Sequence, residues 1–291
     1  MSKRNMLLGN AAGKVGDLVF YRAGGEQRTR TRVTPKNPRS LEQQAQRSKI
    51  ANVTMIYRAL SALCKDSFPS RKVNQTPFSA FSQENLPKSP YLKKDMATEG
   101  RANMFPATVA KGSIPYPFGA SGYGTWASRY SFYVTLNGTF TGPITTVKQL
   151  TAALTAWRPC CFREGTELIF VRMQSDNDDV DGRWQATYAK VTLSADDESP
   201  LDAFGIAFTV GQPEQGEPDF SILSVACQNI GTACALVIAN PKQGGGYEVS
   251  DATLLLDVDT EEALSFQYNE PYKTEAAVSY GGGEGRCVVT V

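Results

Sequence analysis

Leu18-Val19-Phe20-Tyr21-Arg22-Ala23-Gly24-Gly25-Glu26-Gln27-Arg28-Thr29-Arg30-Thr31-Arg32-Val33 reads as a β-hairpin. Leu18 to Tyr21 is a short apolar strand. Ala23-Gly24-Gly25 is a turn signal, because glycine reaches positive φ without a steric penalty. The returning stretch alternates with period two, placing Arg28, Arg30 and Arg32 on one face and Thr29, Thr31 and Val33 on the other. Three like charges along one strand face repel one another unless an anion or a carboxylate partner neutralises them.

Working outward, Thr34 to Ser40 holds Pro35 and Pro38, which force an extended or turning path. Ser40 is a good N-cap, and Gln43 three residues on completes a capping-box pattern, so a helix is expected from about Leu41. Its first turns are polar (Gln43, Gln44, Gln46, Arg47, Lys49). Val53, Ile56, Tyr57, Leu60, Leu63 and Cys64 then recur at amphipathic spacing. The expected helix therefore exposes its first half, or turns it to a polar partner, and packs its second half on a core. N-terminal to the hairpin, residues 1–16 read as a flexible basic arm. Gly9-Asn10-Ala11-Ala12-Gly13-Lys14 imitates a phosphate loop but is one residue short between its glycines. Val15 also stands where a hydroxyl residue would hold magnesium.

Residues 66–128 carry seven prolines with aromatics between them. Aromatic richness argues against disorder, and a loop this long is rare inside a compact monomer. The expectation is an extended segment clamped on another surface, either this chain's own C-terminal domain or, preferentially, a neighbouring subunit. From Tyr130 the texture becomes short strands: Tyr130–Leu136, Glu167–Met173, Trp184–Leu193, Ala203–Val210, Ser221–Cys227, Thr232–Asn240, Glu248–Leu256 and Cys287–Val291. A helix at Val147–Trp157 is capped by Thr145 or Thr146. The expected class is mainly β with α (α+β), a C-terminal β-sandwich or barrel preceded by an extended basic hairpin–helix arm. The expected parts are an arm at 1–65, the Pro/aromatic segment at 66–128 and an acidic β-rich domain at 129–291.

The chain has 291 residues and a formal charge of +1, which hides a strong polarity. Residues 1–130 carry 21 Lys and Arg against 7 Asp and Glu; residues 131–291 carry 9 against 22. A basic part is thus expected to meet something acidic. Histidine is absent, which removes His-dependent triads and His-containing zinc sites. The six cysteines form no CxxC pair and read as buried thiols, with a Cys227–Cys234 bridge open as an alternative. Cys160-Cys161 lacks the general base a catalytic thiolate needs. The acidic turn Asp176–Gly182 has the look of a calcium loop, but its glycine and its final Glu are out of place, so a solvated hairpin loop is the preferred reading. No metal, cofactor or catalytic residue is expected. Neither a secretory leader nor a membrane span is expected.

The candidate contact residues, for a neighbouring subunit or for phosphates, are Lys14, Arg22, Arg28, Arg30, Arg32, Lys36, Arg39 and Arg47. Phosphate contact would be sequence-independent and salt-dependent. Pairing with an acidic neighbour fits the charge split better.

Gly13-Lys14-Val15-Gly16-Asp17-Leu18-Val19-Phe20-Tyr21-Arg22, then Gln27-Arg28-Thr29-Arg30, then Asn37-Pro38-Arg39-Ser40 with Gln43, Gln46 and Arg47, resembles the opening of a family of proteins from gut Bacteroidetes and their phages. Its members begin with a "GKVG…YR" hairpin and an "NPRT…Q…QR" helix and continue into β-rich domains. Ser40 stands where Thr is usual. The match spans about the first 65 residues, and the family brings no enzymatic assignment. The resemblance implies a non-enzymatic structural or assembly protein of a phage particle, made in a bacterial host cytoplasm. Its partners would be its own copies, other virion proteins and, in the alternative reading, nucleic acid, with no membrane involved.

Overall fold

The computed structural model describes residues 13–23, 26–33, 39–117, 119–121, 131–134, 144–176, 181–211, 220–225, 232–256 and 265–282. The chain divides into two compact units, Met1–Arg39 and Ser40–Val291. The division falls before the long helix, so that helix belongs to the larger unit and not to the arm.

The smaller unit is a three-stranded antiparallel sheet, β1 (Gly13–Val15), β2 (Leu18–Ala23) and β3 (Glu26–Thr31), in that spatial order. The hairpin expected from the arginine stretch is β2–β3. Strand β1, in a stretch read from sequence as a flexible arm, is an addition. Val15 pairs with Leu18 across Gly16-Asp17, a two-residue connection in which Gly16 takes φ 60°.

The larger unit is mixed α+β, as expected. Helix α1 (Leu41–Cys64) starts where the cap signal places it, with Ser40 Oγ accepting the Gln43 N–H at 3.3 Å. Helix α4 (Val147–Trp157) carries a complete capping box between Thr146 and Gln149. Between them lie α2 (Pro77–Asn85), α3 (Lys94–Glu99) and the short β4 (Thr108–Ala110).

The body is built on a sheet of β7 (Glu167–Ser175), β8 (Trp184–Thr192), β11 (Thr232–Pro241) and β12 (Tyr247–Val249), ordered β12-β11-β7-β8, with β14 (Leu255–Leu256) also pairing β11. A separate sheet has the order β5-β6-β10-β9, made of Gly119–Ser121, Ser131–Val134, Phe220–Val225 and Ile206–Gly211. β13 (Ala252–Thr253) pairs with β4. The stretch 248–256, expected to be one strand, is thus broken into three short strands that serve two partners, β11 and β4. The strand expected at 287–291 lies outside the described residues.

The described sheets are open, with no closed barrel among them. Both faces of the central sheet are buried under separate cores. Ala233, Ala235 and Val237 of β11, with Val171 and Met173 of β7, face Val53, Ile56 and Leu60 of α1, Phe81 of α2, and Met104 and Phe105. Cys234, Leu236 and Ile238, with Leu168 and Phe170, face Val147, Leu150 and Leu154 of α4, together with Phe162, Leu201 and Ile206. A strand covered on both faces has no reason to alternate, which accounts for the continuous apolar run in β11. Helices and a strap of chain stand over this sheet, and of the expected sandwich or barrel the barrel is absent among the described residues and the sandwich is not confirmed.

Two open expectations are decided. Of the two alternatives for the first half of α1, a polar partner holds on the side that carries Gln44, Ala45, Ser48 and Asn52, which are buried. The described part of the Pro/aromatic segment packs on its own chain, and the preference for a neighbouring subunit is corrected: Phe68, Phe81, Leu92, Met104 and Phe105 are buried in the body. The two outcomes share a cause, because the polar side of α1 is what fastens that segment. Ser48 Oγ lies 2.8 Å from Leu92 O and accepts the Leu92 N–H at 2.7 Å. Asn52 Nδ2 donates to Ser89 Oγ at 3.0 Å and to Asn103 O at 2.9 Å, while its Oδ1 accepts the Asn103 N–H at 2.8 Å.

Candidate interaction site: the basic N-terminal sheet

The register of the small sheet decides which cations meet. Lys14 pairs with Val19, and Val19 with Arg30, so these three form a row across the strands. Tyr21 pairs with Arg28 on the same face one step along. Lys14, Arg28 and Arg30 are exposed. The Arg30 guanidinium carbon stands 5.6 Å from the Tyr21 ring centroid, a cation–π contact that orients the group without neutralising it. The result is a cationic face with an aromatic floor.

The remaining candidates fall elsewhere. Arg32 follows β3, is exposed, and donates its backbone N–H to Asp17 O at 2.6 Å, tying the end of β3 to the β1–β2 turn. Arg22 occupies the β2 position paired with Gln27. Lys36 lies outside the described residues. Arg39 is exposed, with φ 46°, a left-handed conformation uncommon for a non-glycine residue. Arg47 belongs to the larger unit, where its Nη1 donates to Gln44 Oε1 at 3.2 Å. The structure therefore brings together Lys14, Arg28 and Arg30. Sequence alternation alone could not bring in Lys14, which needed the Gly16-Asp17 turn to place β1 against β2.

Strand β3 has β2 on one side and, among the described residues, no strand on the other. Its outer N–H and C=O groups form an open edge, a template for another strand.

Elsewhere the charged candidates are engaged locally. Of the acidic turn, Asp176 and Asp181 are described. Asp176 Oδ1 accepts the Arg183 N–H at 2.9 Å, and Asp181 pairs with Arg101 at 2.8 Å. The Asp181 carboxylate beside it raises the Arg101 pKa. No group of three potential ligands lies together among the described residues. Asp197 Oδ1 accepts the Ser199 N–H at 2.9 Å, and bonding to Ser199 lowers its pKa. A hollow of about 250 Å³ is lined by Phe68, Arg71, Lys72, Gln83, Glu84 and Lys111, with Glu84 held by Lys111 at 2.7 Å. Cys234 is buried, and Cys227 lies outside the described residues. No described helix is long and apolar enough to cross a membrane. No protein-family model matches the chain, and no curated protein or solved structure matches it either.

Proposed function

We propose that this chain is a non-enzymatic structural or assembly protein of a bacteriophage particle, in the head, neck or tail, and that it multimerises through its N-terminal arm. The observation that carries the assembly mode is the small sheet. It is a compact unit of its own, its outer strand β3 has no second strand partner among the described residues, and its cations gather on one face. A three-stranded sheet this short has little core of its own and gains stability by docking. The excess of acidic residues in the second half of the sequence offers a complementary surface on a second copy. The phage setting rests on the resemblance over residues 13–47.

The test is the mass of the full chain by light scattering. The unaltered protein is expected to multimerise. Arg28→Glu with Arg30→Glu, and separately Thr29→Pro to block the β3 edge, are expected to reduce it to monomer. A monomeric unaltered protein, or multimers indifferent to both changes, refutes the reading.

The second reading is sequence-independent DNA binding, which the grouping of Lys14, Arg28 and Arg30 favours. It requires heparin retention that falls steeply with salt. Lys14→Ala, Arg28→Ala and Arg30→Ala together would then release the protein at lower salt.

A further inference from the structure

Cys160 and Cys161 occupy the turn between α4 and β7. Their sulfurs lie 3.6 Å apart. The pair is asymmetric. Cys160 is exposed, whereas Cys161 is buried in the core beneath α4 and its thiol donates to the Pro115 carbonyl at 3.5 Å. The turn that carries them is pinned. The Cys161 N–H donates to Arg158 O at 3.0 Å, and the Cys161 carbonyl accepts Asn240 Nδ2 at 3.1 Å. Two thiols in contact, one open to solvent and one behind it, have the arrangement of an entry thiol and a resolving thiol.

We infer that Cys160-Cys161 is a site of reversible oxidation to a vicinal disulfide, with a small soluble disulfide of the glutathione type as the oxidant. The thiolate is the attacking species. Cys160 is exposed, so it is the thiol that a small disulfide can reach. Burial, with the neighbouring Cys160, pushes Cys161 up to about 11, so it holds its proton until the second step. In the first step the Cys160 thiolate attacks one sulfur of the small disulfide. That S–S bond breaks, one small thiolate leaves, and a mixed disulfide remains on Cys160. In the second, Cys161 loses its proton and attacks the Cys160 sulfur, expelling the other small thiolate. Two protein thiols become one disulfide, and one small disulfide becomes two small thiols carrying the two protons and two electrons.

The geometry also sets the character of the bond. Adjacent Cα atoms are about 3.8 Å apart, closer than disulfides prefer, and the resulting strain makes the link easy to reduce. It is suited to switching rather than to holding the fold. Closing it removes the S–H donor from Pro115, so the strap at 114–117 loses an anchor on the second core.

The experiment treats the full chain with oxidised glutathione, alkylates the remaining thiols and digests with trypsin. Residues 149–163 form one tryptic peptide, because the Arg158–Pro159 bond resists cleavage, and it holds these two cysteines and no other. The expected peptide is lighter by two hydrogens and unalkylated, and a mild reductant returns it to the doubly alkylated form. Cys161→Ser should instead trap a stable glutathione adduct on Cys160, and Cys160→Ser should leave position 161 unmodified by glutathione. Should either variant fail to fold, the unaltered chain decides with a second probe. A trivalent aryl arsenical, which bridges adjacent thiols, should protect both from alkylation at one equivalent. A doubly alkylated peptide after oxidation, or a persistent adduct on Cys160 in the unaltered chain, overturns the inference.

Discussion

Asn52 shows how much a single buried amide can organise. It sits on α1 fully buried, and its side chain satisfies both the N–H and the C=O of Asn103 while also donating to Ser89. Removing it strands buried backbone groups that no water can reach, and an unmet buried group costs more than its bond contributes. Asn52→Ala should therefore lose about 3 kcal/mol in urea unfolding. Arg58→Ala, on the exposed side of the same helix, should stay within about 0.5 kcal/mol of the unaltered chain. Gly112 matters for the opposite reason, absence of atoms. A Cβ there would run into the Val249 carbonyl oxygen, in a stretch where Ile114 N–H donates to that same oxygen at 3.1 Å. Gly112→Ala should part the strap from β12 and lower stability by about 3 kcal/mol in the same measurement.

Among the elements, α4 is the one whose stability rests most visibly on a local device. Thr146 Oγ1 accepts the Gln149 N–H while the Gln149 side chain reaches back to the Thr146 N–H. Thr146→Ala should cost about 1 kcal/mol and lower the thermal midpoint without changing the fold. Helix α5 (Glu270–Ser279) is held from outside. Lys273 bridges to Glu42 of α1 at 3.0 Å, and Lys93 to Glu275 at 2.8 Å. The Glu275 carboxylate raises the Lys93 pKa. Such half-exposed pairs contribute little each. The α1–α5 contact rests more on Tyr272 and Ala276, which are buried.

At the scale of the larger unit, the alkaline side of the stability profile is set by acids that hold their protons to higher pH folded than unfolded, Cys64 foremost. Burial pushes the Cys64 thiol from 9.0 up to about 12. Tyr188, Tyr268 and Tyr280, though partly or largely exposed, are raised to about 12 by local desolvation of their hydroxyls. Between the unfolded and folded values the native state holds a proton that the unfolded chain has released, so stability falls as pH rises through that interval. For Cys64 alone the slope is about 1.4 kcal/mol per pH unit above about pH 9. Thermal melts should be nearly level from about pH 7 to 8.5 and decline beyond pH 9, with a shallower decline between pH 9 and 10 in Cys64→Ala.

Local chemistry by itself determined the β2–β3 hairpin, the start of α1 at Leu41, the extent of α4, the strands β7 and β8, and the mixed α+β class. Each rests on contacts within a few residues: a glycine turn, a capping hydroxyl, an alternation or an apolar run. It also determined the charge polarity, which is a property of composition. Other features needed partners far along the chain. The polar stripe Gln44, Ser48 and Asn52 is indistinguishable in sequence from a solvated helix face; only residues 89–103, packed against it, make it interior. The helices α2 and α5 carried legible signals, Thr76-Pro77 and Asn269 with Pro271, but sat among prolines and glycines that suggested irregular chain. Of the candidate contact residues, the pairing of Arg28 with Arg30 followed from period two. Lys14 joined them only through the register of β1. Burial on both faces of the central sheet was likewise decided by tertiary packing, because an apolar run states that a strand is covered and not what covers it.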